Sequence, residues 1–340
     1  MKLNVDVGLE TQLAQILEQV EAVLHDSTRF PDRLAQVSTH HLMDAGGKRL
    51  RPLLALLAAQ FGPEGVNQQV VEAAVAVELI HLATLYHDDV MDRAPLRRGA
   101  PAAHEVWGNH VAILTGDLLF ARSALLMSGL GPAAVRIQAE TFERLVLGQL
   151  HETVGLDDDS DPVFFYLGVL ADKTASLTSA ATRLGAMFAN APVAVQNALA
   201  SFGEALGVAF QLADDVLDFM GADRATAGGQ ACANSGKTAG TDLRDGVATM
   251  PVLLLQQRVA GGTATSSEIN LVQRLGGDLN DDAVVAGLIN DIRQSDVLTQ
   301  TLDLARAWSD QAVGALADLP SSPQKDALIQ LARAVVNRSA

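Results

Sequence analysis

The sequence predicts an all-α fold, a single-domain bundle of about ten or more helices around a central cavity. Three observations carry this expectation. Apolar residues recur at three- and four-residue steps through most of the chain. Hydrophobic residues make up 49% of the 340 positions but aromatics only 4%, so the core is built from Ala, Leu and Val, which suits close-packed helices better than a sandwich or barrel. No run of alternating strand pattern stands out, and the breaks between periodic segments are short.

In chain order, Leu13, Ile16, Leu17, Val20 and Leu24 mark an N-terminal helix within residues 1–30. Segment 69–92 is apolar on nearly every side, the pattern of a helix enclosed by others. Segments 109–128, 133–153, 163–189, 193–219 and 247–260 also read as helices, and weaker patterns continue to about Val336. The breaks fall at Gly62-Pro63, Arg93 to Pro101, Gly155 to Pro162, Ala191-Pro192 and 275–281. Residues 220–242, rich in Gly, Ala and Thr, form the longest irregular stretch. None of these resembles a domain linker, so residues 1–340 are expected to form one domain.

The formal net charge of -16 argues against a nucleic-acid partner and against electrostatic adhesion to anionic lipid. Cys232 is the single cysteine, which excludes an intramolecular disulfide and a cysteine-based metal site and fits a reducing cytoplasm. The N-terminus lacks the apolar stretch of a signal peptide, and no apolar run spans a bilayer's thickness free of charge. A soluble protein is expected.

One acidic pattern is written twice inside apolar sequence: Asp88, Asp89 and Asp92 in LYHDDVMDR, and Asp214, Asp215 and Asp218 in FQLADDVLDF. An ionised carboxylate is costly in such surroundings, and three like charges cannot neutralise one another. A divalent cation compensates them, and Mg2+ uses a few carboxylates while keeping positions for water or phosphate oxygens. Residues four apart on a helix share a face, separated by roughly 6 Å along its axis. Asp88 and Asp92 therefore reach one ion with Asp89 turned aside, and Asp214 and Asp218 repeat the geometry. Two such helices face to face would hold several Mg2+ ions gripping a diphosphate. A third run, Asp157, Asp158 and Asp161 in GLDDDSDP, fits the same letters but lies between Gly and Pro with no apolar lattice, so a solvated loop is expected there.

A diphosphate site also needs local cations. GGKRLRP offers Lys48, Arg49 and Arg51 after two glycines, Arg97 and Arg98 follow the first cluster, and Lys237 follows the second. Each taken alone is equally well a solvated charge. His81 by itself fits a satisfied core histidine, and Lys173 in LADKTASL is expensive in an apolar helix unless partnered.

The motifs GGKRLRP, IHLATLYHDDVMDRAPLRRGAPAAH, GNHVAILTGDLLFARS, YLGVLADKTASL, FQLADDVLDF and GKTAGTDLRDGVATMPVLLL occur in this order from about Gly46 onward. In them the chain resembles the trans-isoprenyl diphosphate synthases, or polyprenyl synthetases, of the long-chain bacterial type. The resemblance implies the isoprenoid synthase fold and a Mg2+-dependent prenyltransferase. Such an enzyme ionises an allylic diphosphate, adds isopentenyl diphosphate and loses a proton. Up to three Mg2+ ions would be held by Asp88, Asp89, Asp92, Asp214, Asp215 and Asp218. Arg97, Lys173, Gln211 and Lys237 would contact the allylic diphosphate, and Lys48, Arg51, His81 and Arg98 the isopentenyl diphosphate. Thr174 and Gln211 would lie near the allylic cation. The resemblance further implies a homodimer that makes at most transient membrane contact for product release, without stable insertion.

Two positions depart from the family pattern: the 220–242 loop is longer, and Tyr86 replaces a smaller aliphatic residue, where packing is the favoured reading. One turn before the first cluster, Ala83 and Thr84 are small, which leaves room for a growing chain and points to a long-chain product. A bulky residue deeper down, such as Phe142, would instead give a short-chain product of farnesyl or geranylgeranyl length. Both aspartate motifs are intact, which argues against a non-catalytic partner subunit. The second cationic group argues against a terpene cyclase.

Overall fold

The computed structural model describes residues 7–155, 161–220, 240–244, 246–279 and 281–337. Lys237, Cys232, Asp157, Asp158 and most of the 220–242 segment lie outside the described residues. The chain runs through α1 (Val7–Ser27), α2 (Arg33–Asp44), α3 (Leu50–Ala59) and α4 (Gln68–Met91). A minimal hairpin follows, β1 (Leu96–Arg97) against β2 (Ala100–Pro101), then α5 (Ala103–Trp107), α6 (Asn109–Leu130), α7 (Pro132–Val154) and α8 (Pro162–Leu170). A π-helical segment, Ala171–Ala175, leads into α9 (Ser176–Phe188) and the long α10 (Val193–Met220). The remainder comprises α11 (Thr241–Arg244), α12 (Met250–Ala260), α13 (Ser266–Leu275), α14 (Asp282–Gln294), α15 (Val297–Ala315) and α16 (Pro323–Asn337). The all-α expectation holds, with α2, α3 and the hairpin as additions the periodicity did not resolve.

Helix α4 runs through the middle of the bundle and packs against α1, α3, α6 and α9. Val70, Ala74, Val77, Leu79, Leu82 and Tyr86 are buried and leave no polar face, as its all-round apolar pattern requires. Asn67 caps its start by accepting from Val70 N at 3.1 Å. Tyr86 is fully buried; its hydroxyl donates to Ser38 O and accepts from Leu42 N at 3.2 Å, tying α4 to α2. Packing is therefore the role of Tyr86. Asp161, the last residue of the third acidic run, caps α8 by accepting from Phe164 N at 2.9 Å.

Scarce aromatics are matched by backbone-level approach between helices. A Cβ at Gly185 would lie 2.1 Å from Ala55 O, and one at Gly207 only 2.5 Å from Ala175 Cα. Any side chain there would force α3 from α9, or α10 from the π segment.

By length and composition alone α4, α6 and α10 could each cross a membrane. Each carries charge, and α4 has 72% of its apolar window inside the bundle. For α6 that share is only 33%, and its Leu114 and Leu125 are 60% and 62% exposed. Val146, Leu147 and Leu150 of α7 and Phe164 of α8 add to this outward apolar surface.

Candidate active site

The two aspartate clusters occupy the C-terminal turns of α4 and α10. In each, the middle residue turns into the protein and its neighbours do not. Asp89 is fully buried and accepts from Arg97 Nε at 2.6 Å; Asp88 is half-buried and Asp92 exposed. Asp215 is 1% exposed and accepts from Tyr166 Oη at 3.0 Å and Met250 N at 3.3 Å. Asp218 is half-buried and Asp214 exposed. The outer pair of each cluster is thus presented four residues apart on one face, while the inner carboxylate anchors a neighbouring element.

The residues fit a divalent cation. Asp89 Oδ2 and Asp215 Oδ1 are buried atoms without a hydrogen-bond partner, and burial pushes Asp88 up to about 6 despite the opposing charge of Lys173. Crowded oxygen ligands that desolvation penalises are stabilised by a hard cation.

The π-helical segment connects the clusters. Lys173 lies near enough for its charge to act on Asp88 of α4 and pairs with Glu152 of α7. Its neighbour Thr174 donates to Gln211 Oε1 of α10 at 3.3 Å, one turn before Asp214. Lys173 and Thr174 of the π segment therefore sit together with Gln211 of α10.

A second group of cations forms where the GGKRLRP loop meets the hairpin. Arg98 and Gly99 are the two-residue turn of that hairpin, with φ of 55° and 78°. Two left-handed residues in succession match a type I′ turn, whose twist joins short antiparallel strands. The turn aims Arg97 at Asp89 and sends Arg98 back to Leu42 O, at 3.0 Å, and to Gly46 O. Arg51 is held near Arg98 and Glu78, and its Nε is buried without a partner. His81 is held neutral well below its ordinary range, first by burial and then by Arg51 and Arg98. Arg51 and Arg98, with neutral His81 beside them, thus form one desolvated, positively charged group suited to an anion. Lys48 is exposed at its edge.

Arg49 stands apart from this group. With φ of 46° it begins α3, and its guanidinium reaches Glu78 at 3.0 Å and also Glu21 of α1. Sequence reading left Glu78, Glu152 and Tyr166 unassigned, because no spacing links them to Arg49, Lys173 and Asp215. Ala83 is fully buried; Thr84 is half-buried and back-bonds to His81 O at 2.8 Å. Phe142 is 39% exposed and lies 4.3 Å from Phe120, which stacks on His87 one turn beyond Ala83.

An all-α bundle with paired aspartate clusters and an adjoining cationic group defines a class. Residues 32–291 match the family described as polyprenyl synthetase, and the chain belongs to that family. It is 42% identical to the nonaprenyl diphosphate synthase of Mycobacterium tuberculosis over 98% of this chain and 97% of that protein. A crystal structure of polyprenyl synthase from Caulobacter crescentus, complexed with calcium and isoprenyl diphosphate, superposes with a TM-score of 0.86 at 35% identity over 100% of both chains. Geranylgeranyl pyrophosphate synthase from Corynebacterium glutamicum, in a complex of the same composition, gives 0.85 at 40% identity over 99% of both chains.

Burial pushes Asp215 up to about 8 from an ordinary 3.8, against the bonds from Tyr166 and Met250. A carboxyl raised in the fold keeps a proton that the unfolded chain releases. Its effect is to lower stability as pH rises through that window and then to level off above it. Between pH 6.5 and 8 the metal-free protein should lose on the order of 2 kcal/mol in urea unfolding. Neutral His81 opposes this only at lower pH. Asp215→Asn should flatten the slope; an unchanged slope would place the proton elsewhere.

Proposed function

We propose that this protein is a Mg2+-dependent prenyltransferase that condenses isopentenyl diphosphate with an allylic diphosphate into a long-chain all-trans polyprenyl diphosphate. The observation that carries this reading is the pairing of two outward aspartate faces with a separate desolvated cationic group. Two anionic substrates need two such binding surfaces.

Asp88, Asp89 and Asp92 on one side, and Asp214, Asp215 and Asp218 on the other, would hold Mg2+; Asp89 also bonds Arg97, and Asp215 also bonds Tyr166. The metal, when bound, supplies positive charge for the departing diphosphate. Lys173 and the free N–H groups of Arg97 bind the allylic diphosphate and stabilise its charge as the carbon–oxygen bond ionises. Lys237 joins them as a further contact by motif. Arg51, Arg98, His81 and Lys48 orient isopentenyl diphosphate so that its double bond attacks the allylic cation. Neutral His81 contributes as a hydrogen-bond donor. The Thr174 hydroxyl and the Gln211 amide carbonyl present oxygen dipoles to the cation, and apolar α4 and α10 exclude water that would quench it. The proton lost from the condensed product passes to the released diphosphate.

Long-chain products are supported by the absence of bulk at Ala83 and Thr84 and by similarity to a nonaprenyl synthase. A geranylgeranyl product is the second reading, favoured by comparable similarity to a geranylgeranyl synthase and by the Phe120–Phe142 pair beside that face of α4. The outward apolar surface of α6, α7 and α8 supports a homodimer, since exposed patches of this kind mark protein interfaces. A cytoplasmic location accords with the lone cysteine and acidic charge.

Purified protein incubated with Mg2+, labelled isopentenyl diphosphate and farnesyl or geranylgeranyl diphosphate should release a chain extended by several units. Asp88→Ala and Asp214→Ala should each lower turnover by about 10²–10³-fold with helical circular dichroism retained; absence of turnover with every allylic primer would sink the reading. Ala83→Phe should shorten the products, and an unaltered profile would remove Ala83 from the path of the chain. Analytical ultracentrifugation should show a dimer that Leu114→Glu with Leu150→Glu converts to monomer; a monomeric parent protein would refute that assembly.

A further inference from the structure

Lys173 and Thr174 owe their direction to a wide turn. Over Ala171–Ala175 the helix is wound in π form, which interrupts the regular ladder and leaves backbone groups to be satisfied from outside. On α7, Arg144, Gly148 and Glu152 are spaced four apart and form one stripe against this turn. Arg144 Nε donates to Asp172 Oδ1 at 2.7 Å, and its Nη2 donates to Ala171 O at 3.2 Å. The same guanidinium forks onto Glu204 of α10 at 3.1 and 2.6 Å. A Cβ at Gly148 would lie 2.6 Å from Lys173 N, so only glycine admits the turn there. Glu152 closes the stripe on the Lys173 ammonium.

Helix α10 answers with its own stripe: Glu204, Gly207 against Ala175, and Gln211 on Thr174. Among the described residues, Arg144 bonds the π-turn backbone, its Asp172 and Glu204 of α10 together. A lysine could not reproduce this, because four bonds in fixed directions need a planar fork. The bonds to Glu204, then those to Asp172, raise the Arg144 guanidinium above its ordinary range, so it stays charged under all working conditions.

We infer that Arg144 is a positioning residue of the reaction: it seats the π turn between α7 and α10 and thereby aims Lys173 at the allylic diphosphate. This rests on the assignment of Lys173 to that substrate. Misplacement of one binding group costs affinity for the ligand it serves and little for a ligand bound elsewhere.

The test uses the full-length protein with Mg2+ and steady-state kinetics for each substrate separately. Arg144→Met should raise KM for the allylic diphosphate about tenfold and leave KM for isopentenyl diphosphate within about twofold. Arg144→Lys should recover part of the loss, and Arg144→Met should add nothing further in a Lys173→Ala background. If Lys173→Ala alone leaves the allylic KM unchanged, the assignment of Lys173 fails and the inference falls with it. The inference alone is overturned if Lys173→Ala raises that KM and Arg144→Met does not, if both substrates weaken equally, or if the two effects multiply. Should Arg144→Met fail to fold, Asp172→Ala removes the Nε bond to the π turn, leaves the bond to Ala171 O and the Glu204 fork, and is judged by the same outcomes.

Discussion

Carboxylates at the edge of an apolar helix bundle are the constraint on which the rest of this structure depends. Desolvation raises Asp88, Asp89 and Asp215 alike, so each must be compensated by a partner or by protonation. The protein compensates the two innermost residues itself. Arg97 is delivered to Asp89 by a two-residue hairpin, and Tyr166 and the start of α12 are delivered to Asp215. Those contacts determine where the hairpin, α8 and α12 dock. They also leave the outer aspartates on a common face, where a cation can complete their coordination.

The same logic with opposite sign governs the GGKRLRP region. Glu78 is 2% exposed on α4 and carries a raised pKa, chiefly from burial, which Arg49 and Arg51 oppose. Arg49 takes the direct ion pair, while Arg51 and Arg98 feel only its field, Arg98 bonding the Leu42 and Gly46 carbonyls and Arg51 keeping a buried Nε without a partner. One buried glutamate thus splits three arginines into a structural anchor and a cationic pair open to an anion. A deeply buried pair of this kind contributes little net stability, but removal of either partner leaves an unpaired charge inside the bundle.

Such precision needs rigid supports, and small residues provide them. Gly185 brings α9 onto α3, Gly148 brings α7 onto the π turn, and Gly207 brings α10 onto the same turn from the other side. With helices in backbone contact, a π turn cannot shift without moving two neighbours. That rigidity suits a site in which Lys173 and Thr174 sit side by side and face different partners.

Much of this was legible in the chain itself. Three- and four-residue apolar spacing announced α1, α4, α6, α7 and α10 to within a few residues, because a helix surrounded by others needs an apolar lattice wherever it touches them. Ordered motifs announced the family, and the pattern Asp88, Asp92 announced a shared face, since helical geometry alone sets that relation. The short helices α2 and α3 and the hairpin were missed, as their form rests on Asp32 capping and on two left-handed residues rather than on period. Which aspartate of each cluster turns inward, which arginine of GGKRLRP is an anchor, and why Lys173 points as it does were settled only by tertiary structure. Each depends on a partner distant in sequence: Tyr166 for Asp215, Glu21 and Glu78 for Arg49, Arg144 and Glu152 for the π turn. Local spacing determines which residues share a helix face. Only the packing of helices decides what that face meets, and burial against a particular partner sets the charge and direction of every group in the site.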